Sequence, residues 1–127
     1  MTNESMLGRT VDESEFGTLD TFAVPASLTL TLQTEELQAL CPAVEHIQPD
    51  IYWCEIQYVA VSRALETKSV KLWLTQFRDQ RIFAEHLAQE MADKVASVDG
   101  IGETTVTLQQ NVRGGIVTVV EATGRVQ

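Results

Sequence analysis

From Ile51 to Ser62 both alternating sets of side chains are largely apolar or aromatic. Ile51, Trp53, Gln57, Val59 and Val61 fall on one side with Glu55, and Tyr52, Cys54, Ile56, Tyr58 and Ala60 on the other. Alternation sends these sets to opposite faces of a sheet, so both faces need a cover. Helices would cover one face, and another subunit is the natural cover for the second. A chain with such a strand builds a sheet with helices on one side and a partner on the other.

The rest of the pattern supplies the sheet. Ser27 to Gln33 alternates strictly, leucines to one side and hydroxyls to the other, which reads as a half-buried strand. Glu35 to Leu40 reads as a short helical turn leading into Cys41-Pro42. The first helix is expected from about Lys68 to Arg78. The second is expected to begin near Asp79 or Gln80 and to end at Asp99-Gly100, a good stop signal. Phe83, Leu87, Met91 and Val95 recur at spacing four and mark its buried face. Thr104 to Gln110 alternates again, Arg113-Gly114-Gly115 interrupts, and Ile116 to Glu121 forms the last strand. The order is strand, strand, helix, helix, strand, strand. It implies an α+β domain over residues 21–127, an antiparallel four-stranded sheet with two helices on one face. Met1 to about Asp20 is polar, with five acids and one arginine, and reads as a mobile or late-docking arm.

Charge narrows the function. Nine Lys and Arg stand against eighteen Asp and Glu, a net −9 over 127 residues. That argues against nonspecific binding to nucleic acid or anionic membranes. No apolar run approaches a membrane span and no charged-then-apolar leader opens the chain, so the cytoplasm is the expected compartment. Cys41 and Cys54 make no disulfide framework, and no Cys/His spacing suits a metal. Against this acidic background Lys68 and Lys71 stand one turn apart at an expected helix start. Thr67 and Ser69 are hydroxyl residues suited to its N-cap. Such a position prefers acids by roughly 0.3–1 kcal/mol per charge. The pair is either a solvated basic face or a prepared site for an anion, with phosphate the obvious candidate.

The loop from Cys41 to Asp50 lies between two strands, with Pro42 and Pro49 stiffening its ends. A thiol beside a carboxylate can act as nucleophile plus proton carrier, provided burial lifts the Asp pKa toward the working pH. A cysteine in a small protein is more often an inert core residue, and Cys54, within a strand, fits that description.

Glu66-Thr67-Lys68-Ser69-Val70-Lys71-Leu72-Trp73 resembles the signature motif of the short type of nitrile reductase that converts 7-cyano-7-deazaguanine (preQ0) to 7-aminomethyl-7-deazaguanine (preQ1) in queuosine synthesis. Thr67 is its one departure. Cys41-Pro42 and Gln48-Pro49-Asp50 resemble the family's catalytic loop. Phe77-Arg78 and Phe83-Ala84-Glu85 resemble its second helix, and Arg113-Gly114-Gly115-Ile116 its late turn. The likeness covers roughly Leu40 to Ile116.

The resemblance implies the tunnelling fold, a homo-oligomer with sites between subunits, and NADPH as cofactor. It implies that Cys41 attacks the nitrile to form a thioimide while Asp50 handles the protons. Glu85 and Glu66 would bind the deazapurine, and Lys68, Lys71 and Arg113 the phosphates of NADPH. No Gly-x-Gly-x-x-Gly follows any strand, so side chains would have to hold a dinucleotide.

The chain departs from the family at Ala84, where a His is usual, and in a loop about two residues longer that carries His46. His46 would either fill the missing role or be an exposed loop residue. Two other functions compete. A related amidinotransferase makes archaeosine from preQ0-modified tRNA and ammonia, and a silent deazapurine-binding protein would do no chemistry.

Overall fold

The computed structural model describes residues 17–43, 49–112 and 114–125. Four long strands form one antiparallel sheet: β2 (Leu28–Leu40), β3 (Pro49–Ala60), β5 (Ile101–Gln110) and β6 (Val119–Thr123), in the order β2-β3-β5-β6. Helices α1 (Thr67–Thr75) and α2 (Ala84–Ala96) pack on one face of it. Two short strands, β1 (Thr21–Ala23) and β4 (Arg63–Leu65), pair as a separate ribbon beside the main sheet. The strand-helix-strand order expected from periodicity therefore holds, with this ribbon added.

Register explains the core. Cys54 stands opposite Thr34 and Leu108, Ile56 opposite Leu32 and Val106, and Tyr58 opposite Leu30 and Thr104. Tyr52, Cys54, Ile56, Tyr58 and Ala60 are all buried under the helices, with Leu87, Met91 and Val95 of α2 above the sheet. Each aliphatic or aromatic side chain so buried contributes roughly 1.5–3 kcal/mol before the entropy of ordering it. Val70 and Trp73 anchor α1, and Trp73 meets Phe77 edge to face at 5.6 Å. Such an aromatic pair adds roughly 0.5–1.5 kcal/mol. On the other face of β3, Ile51 and Val61 are exposed and Trp53 and Val59 half-buried. Within one chain, nothing of the described structure covers that side.

Several boundaries differ from expectation. Glu35 to Leu40 is strand, not a helical turn. β2 runs on through a bulge between Thr34 and Leu37 and pairs Leu37 with Tyr52 and Ala39 with Asp50. The first helix ends at Thr75 and passes into a 3-10 turn over Gln76–Asp79. The second starts at Ala84 and ends at Ala96, so Phe83 lies before it and is 49% exposed. Leu40 explains the late start. Its N–H donates to Gln80 O at 2.8 Å and its carbonyl accepts from Ile82 N–H at 3.1 Å, which holds residues 80–82 extended against β2. Backbone committed to a strand edge cannot also make helical bonds. The last two strands begin and end a few residues from the expected limits, at Ile101–Gln110 and Val119–Thr123.

Of the expected arm, residues 1–16 lie outside the described residues. Asp20 is docked on α1: its N–H donates to Ser69 Oγ at 3.0 Å and its carbonyl accepts from Glu66 N–H at 2.9 Å. At the other end Gly124 comes so close to α2 that a Cβ there would meet the carbonyl of Ala92. The chain beyond it is clasped by Asp93, which accepts from Arg125 N–H at 2.8 Å and from Arg125 Nη2 at 2.6 Å. Hydrogen bonds from the Arg125 side chain, then from its backbone, hold the Asp93 carboxyl far below the usual carboxylate range. A depressed carboxyl stabilises the fold above its unfolded value of about 3.9, and that contribution is lost as pH falls through the folded value. Thermal unfolding below about pH 4 should therefore show an acid-dependent component in the parent that is missing from Asp93→Asn. Identical acid profiles for the two proteins would exclude the clasp as its source.

Among the described residues no helix is long and apolar enough to cross a membrane.

Candidate active site

Glu66 is the residue that starts α1. Its carboxylate caps the helix, Oε1 accepting from Lys68 N–H at 2.7 Å and Oε2 from Ser69 N–H at 2.9 Å. Ser69 Oγ donates back to Glu66 O at 2.7 Å. Thr67 and Ser69, expected as caps, instead lie inside the first turn. A Glu here does what Asp or Ser usually does, and an acid at this end is also favoured by the helix dipole. The backbone donors of Lys68 and Ser69 are therefore taken up by Glu66 and not free for an anion, which would rely chiefly on side chains here.

Glu66, also expected to bind substrate, is 7% exposed. Each of its oxygens keeps a second lone pair, so capping and recognition are compatible. Glu66→Ala should lower stability by about 1–2 kcal/mol through loss of the cap. Denaturant unfolding checks this, and an unchanged midpoint would show that water replaces the carboxylate at no cost.

Lys68 and Lys71 follow on α1, Lys68 partly buried and Lys71 exposed. Lys71 lines a cavity of about 220 Å³ between α1 and the helix-facing side of β2 and β3. Its floor is apolar, with Leu32, Ile56, Val70 and Leu74, and Arg78 stands on the same wall. Neither Lys71 nor Arg78 makes an ion pair or hydrogen bond among the described residues. Glu36 also lines the cavity, so its rim carries two cations and one acid around an apolar floor, a setting that suits a ring-bearing ligand with an anionic group. Sequence reading did not name Arg78 as a ligand, although it continues the helical stripe from Lys68 and Lys71. Arg113, the third expected phosphate ligand, lies outside the described residues. The glycines after it do turn with left-handed backbone, φ +56° at Gly114 and +79° at Gly115.

Cys41 and Asp50 both lie at the far end of the β2–β3 ladder. Asp50 stands opposite Ala39, and Cys41 follows two residues beyond Ala39. Strand alternation continued one residue past the ladder would put Cys41 on the face of Asp50 as its diagonal neighbour. Asp50 is 3% exposed and shielded from bulk water, while Cys41 is half-buried and within reach of a ligand. Cys54, by contrast, is 1% exposed, at the floor of the cavity beside α1. Burial, followed by the charge of Glu55, pushes its thiol up to about 12.

The same Leu40–Arg81 bridge that delays α2 brings its first turn to this corner. Glu85, expected to recognise substrate, is exposed in that turn. Ala84, where the resembling family has His, is 4% exposed and faces the core. His46, the other candidate for that role, lies outside the described residues. His86 is exposed and lines a separate surface hollow with Gln89, Asp93 and Arg125. Sequence reading missed Arg81, whose Nη1 donates to Cys41 O at 3.1 Å. No periodic signal marks that residue. No cluster of His, Cys, Asp and Glu suited to a metal occurs among the described residues.

A tunnelling-fold protein with a cysteine and an aspartate at the end of one strand ladder, and a glutamate in the first turn of the helix that follows the Leu40–Arg81 bridge, is the class these observations define. The chain belongs to the QueF-like protein family, whose model matches residues 49–126. It is 37% identical over 108 residues to the NADPH-dependent 7-cyano-7-deazaguanine reductase of Frankia casuarinae, spanning 84% of this chain and 85% of that one. To the enzyme of the same name from Nitrosococcus oceani it is 35% identical over 107 residues, 82% of this chain and 81% of the other. Among solved structures, the archaeosine synthase QueF-Like in the apo form has the same fold. Its TM-score is 0.65 at 20% identity, over 80% of this chain and 95% of that one.

Proposed function

We propose that this protein reduces the nitrile of preQ0 to the aminomethyl group of preQ1, with NADPH, in queuosine tRNA modification. The observation that carries the reading is that Cys41 and Asp50 lie at the end of the β2–β3 ladder to which Arg81, three residues before α2, is bridged. The named activity of the 32–37% identical relatives supports it. Cys41 adds its sulfur to the nitrile carbon. Its proton passes through Asp50 to the nitrile nitrogen, giving a neutral thioimide with every atom retained. Glu85 accepts hydrogen bonds from the N–H donors of the guanine-like edge and sets the nitrile toward the thiol. Glu66 recognises substrate from the start of α1.

The cofactor supplies hydride when bound. Lys68, Lys71 and Arg113 are the residues that would hold its phosphates. The unpaired Lys71 beside a ring-sized cavity fits such a group. Reducing a nitrile to an aminomethyl group takes two hydrides and two protons, so two NADPH would be used per product; Cys41 would leave as thiolate between the two hydride additions and be free for another turnover.

The sites lie between subunits of a homo-oligomer. The half-exposed face of β3, with Trp53 and Val59, supports this. Sedimentation of an active monomer across the micromolar range would oppose it. The compartment in this reading is the cytoplasm.

A second reading, amidinotransfer from ammonia to preQ0 on tRNA, draws on Ala84 in place of His. The net charge of −9 counts against a tRNA partner. Incubation with preQ0 and NADPH, and separately with preQ0-tRNA and ammonium, tests the choice by product mass. PreQ1 in the first supports the reductase. An amidine in the second, with no NADPH oxidised, overturns it. Absence of any covalent adduct by intact mass would leave a non-catalytic binder.

A further inference from the structure

We infer that Arg81 is a positioning residue for the nucleophile: its guanidinium clamps the carbonyl of Cys41 and so fixes the thiol against Asp50 and the start of α2. This rests on the reading of Cys41 as the attacking group. Cys41 is the first residue beyond the β2–β3 ladder, whose last pair is Leu40 with Pro49. A residue just past its last ladder pair has only local contacts to hold it.

Three hydrogen bonds among the described residues, made by consecutive residues of one segment, hold that end. Gln80 O accepts from Leu40 N–H at 2.8 Å, and Ile82 N–H donates to Leu40 O at 3.1 Å. Between them Arg81 Nη1 reaches one residue further and donates to Cys41 O at 3.1 Å. Of the three, only the Arg81 bond acts on the nucleophile's own residue, and only it depends on a side chain. The donor is a guanidinium, so the bond to the neutral carbonyl is charge-assisted and keeps its direction at every pH of interest.

The same segment leads two residues later into α2 and Glu85. Attack on a nitrile needs sulfur and carbon within roughly 3–3.5 Å along a defined approach, and a misplacement of about 1 Å can cost on the order of 10²-fold. A clamp joining the cysteine to the segment that carries the recognition glutamate keeps nucleophile and bound substrate in one frame. Arg81 touches neither substrate nor sulfur in this role.

The test uses Arg81→Ala and Arg81→Lys in the full chain. Arg81→Ala should slow adduct formation with saturating preQ0 by roughly tenfold or more while the KM for preQ0 changes by less than about twofold. Arg81→Lys, which retains one cationic donor, should recover most of the rate. PreQ0 affinity measured in a Cys41→Ala background should be the same with and without Arg81.

Amide hydrogen exchange provides a readout that does not depend on preQ0 chemistry. Exchange at Leu40 and Ile82 should quicken in Arg81→Ala while core amides of β3 stay protected. Adduct formation at the parent rate, or unchanged exchange at Leu40 and Ile82, would overturn the clamp. So would loss of preQ0 affinity in the Cys41→Ala background, which would make Arg81 a direct ligand. If the parent itself forms no adduct, the reading of Cys41 falls, and exchange alone still decides whether Arg81 holds this corner.

Discussion

Cys41→Ala is expected to abolish the covalent preQ0 adduct, and Cys54→Ala to leave it intact. The two thiols differ in position before they differ in chemistry. Cys41 is half-buried at the end of β2, beside the Asp50 face, whereas Cys54 is buried in the middle of β3. The thiolate is the nucleophile, and burial that pushes Cys54 up to about 12 keeps it protonated throughout the neutral range. Removing its sulfur should cost on the order of 1 kcal/mol in packing.

Asp50→Asn keeps the shape of the carboxyl but cannot carry a proton. It should slow adduct formation by on the order of 10²–10⁴. Intact mass after timed incubation with preQ0 reads all three variants. An adduct on Cys41→Ala would move the chemistry elsewhere, and Asp50→Asn reacting at the parent rate would remove Asp50 from it.

Lys71→Ala should raise the KM for NADPH by about tenfold or more and leave preQ0 adduct formation nearly unchanged. A charge-assisted hydrogen bond contributes roughly 1.5–3 kcal/mol, and about 1.4 kcal/mol is a factor of ten. Lys71 is exposed, so the lower end of that range applies. The start of α1 cannot compensate, because the Glu66 carboxylate already occupies the backbone donors of Lys68 and Ser69. The loss should therefore show fully in steady-state kinetics. It should also grow weaker as salt screens the lysine of the parent. Equal loss of adduct formation and NADPH affinity would show that Lys71 supports the fold or the substrate. No change in either would take the cavity beside α1 out of the cofactor site.

Periodicity alone made the architecture legible because it reports the property that a sheet and a helix must satisfy, an apolar face. The strand at β3 shows this: its even-numbered residues are buried as alternation requires. The positions of Cys41 and Cys54 were separable for the same reason, one beyond a strand end and one within a strand. The sequence could not reveal how far β2 continues. Glu35 and Glu36 look like a turn by composition, yet β3 offers partners beyond them, and the ladder absorbs both acids at a bulge on the exposed edge. Phe83 failed in the opposite sense. Its spacing suits a helix, but hydrogen bonds to Leu40 hold the preceding residues extended.

What the sequence determined by itself is the set of parts: the strands, the helices, the family motif, and the thiol and carboxylate types that chemistry needs. Only the tertiary structure decided that Glu66 closes the start of α1, that Lys71 and Arg78 share one cavity wall, and that Arg81 reaches Cys41. The reason is distance along the chain. Burial periodicity is written in neighbouring residues, whereas Arg81 bonds to a carbonyl 40 residues away and Asp20 to a hydroxyl 49 residues away. Such bonds exist only once the sheet register has brought those residues together.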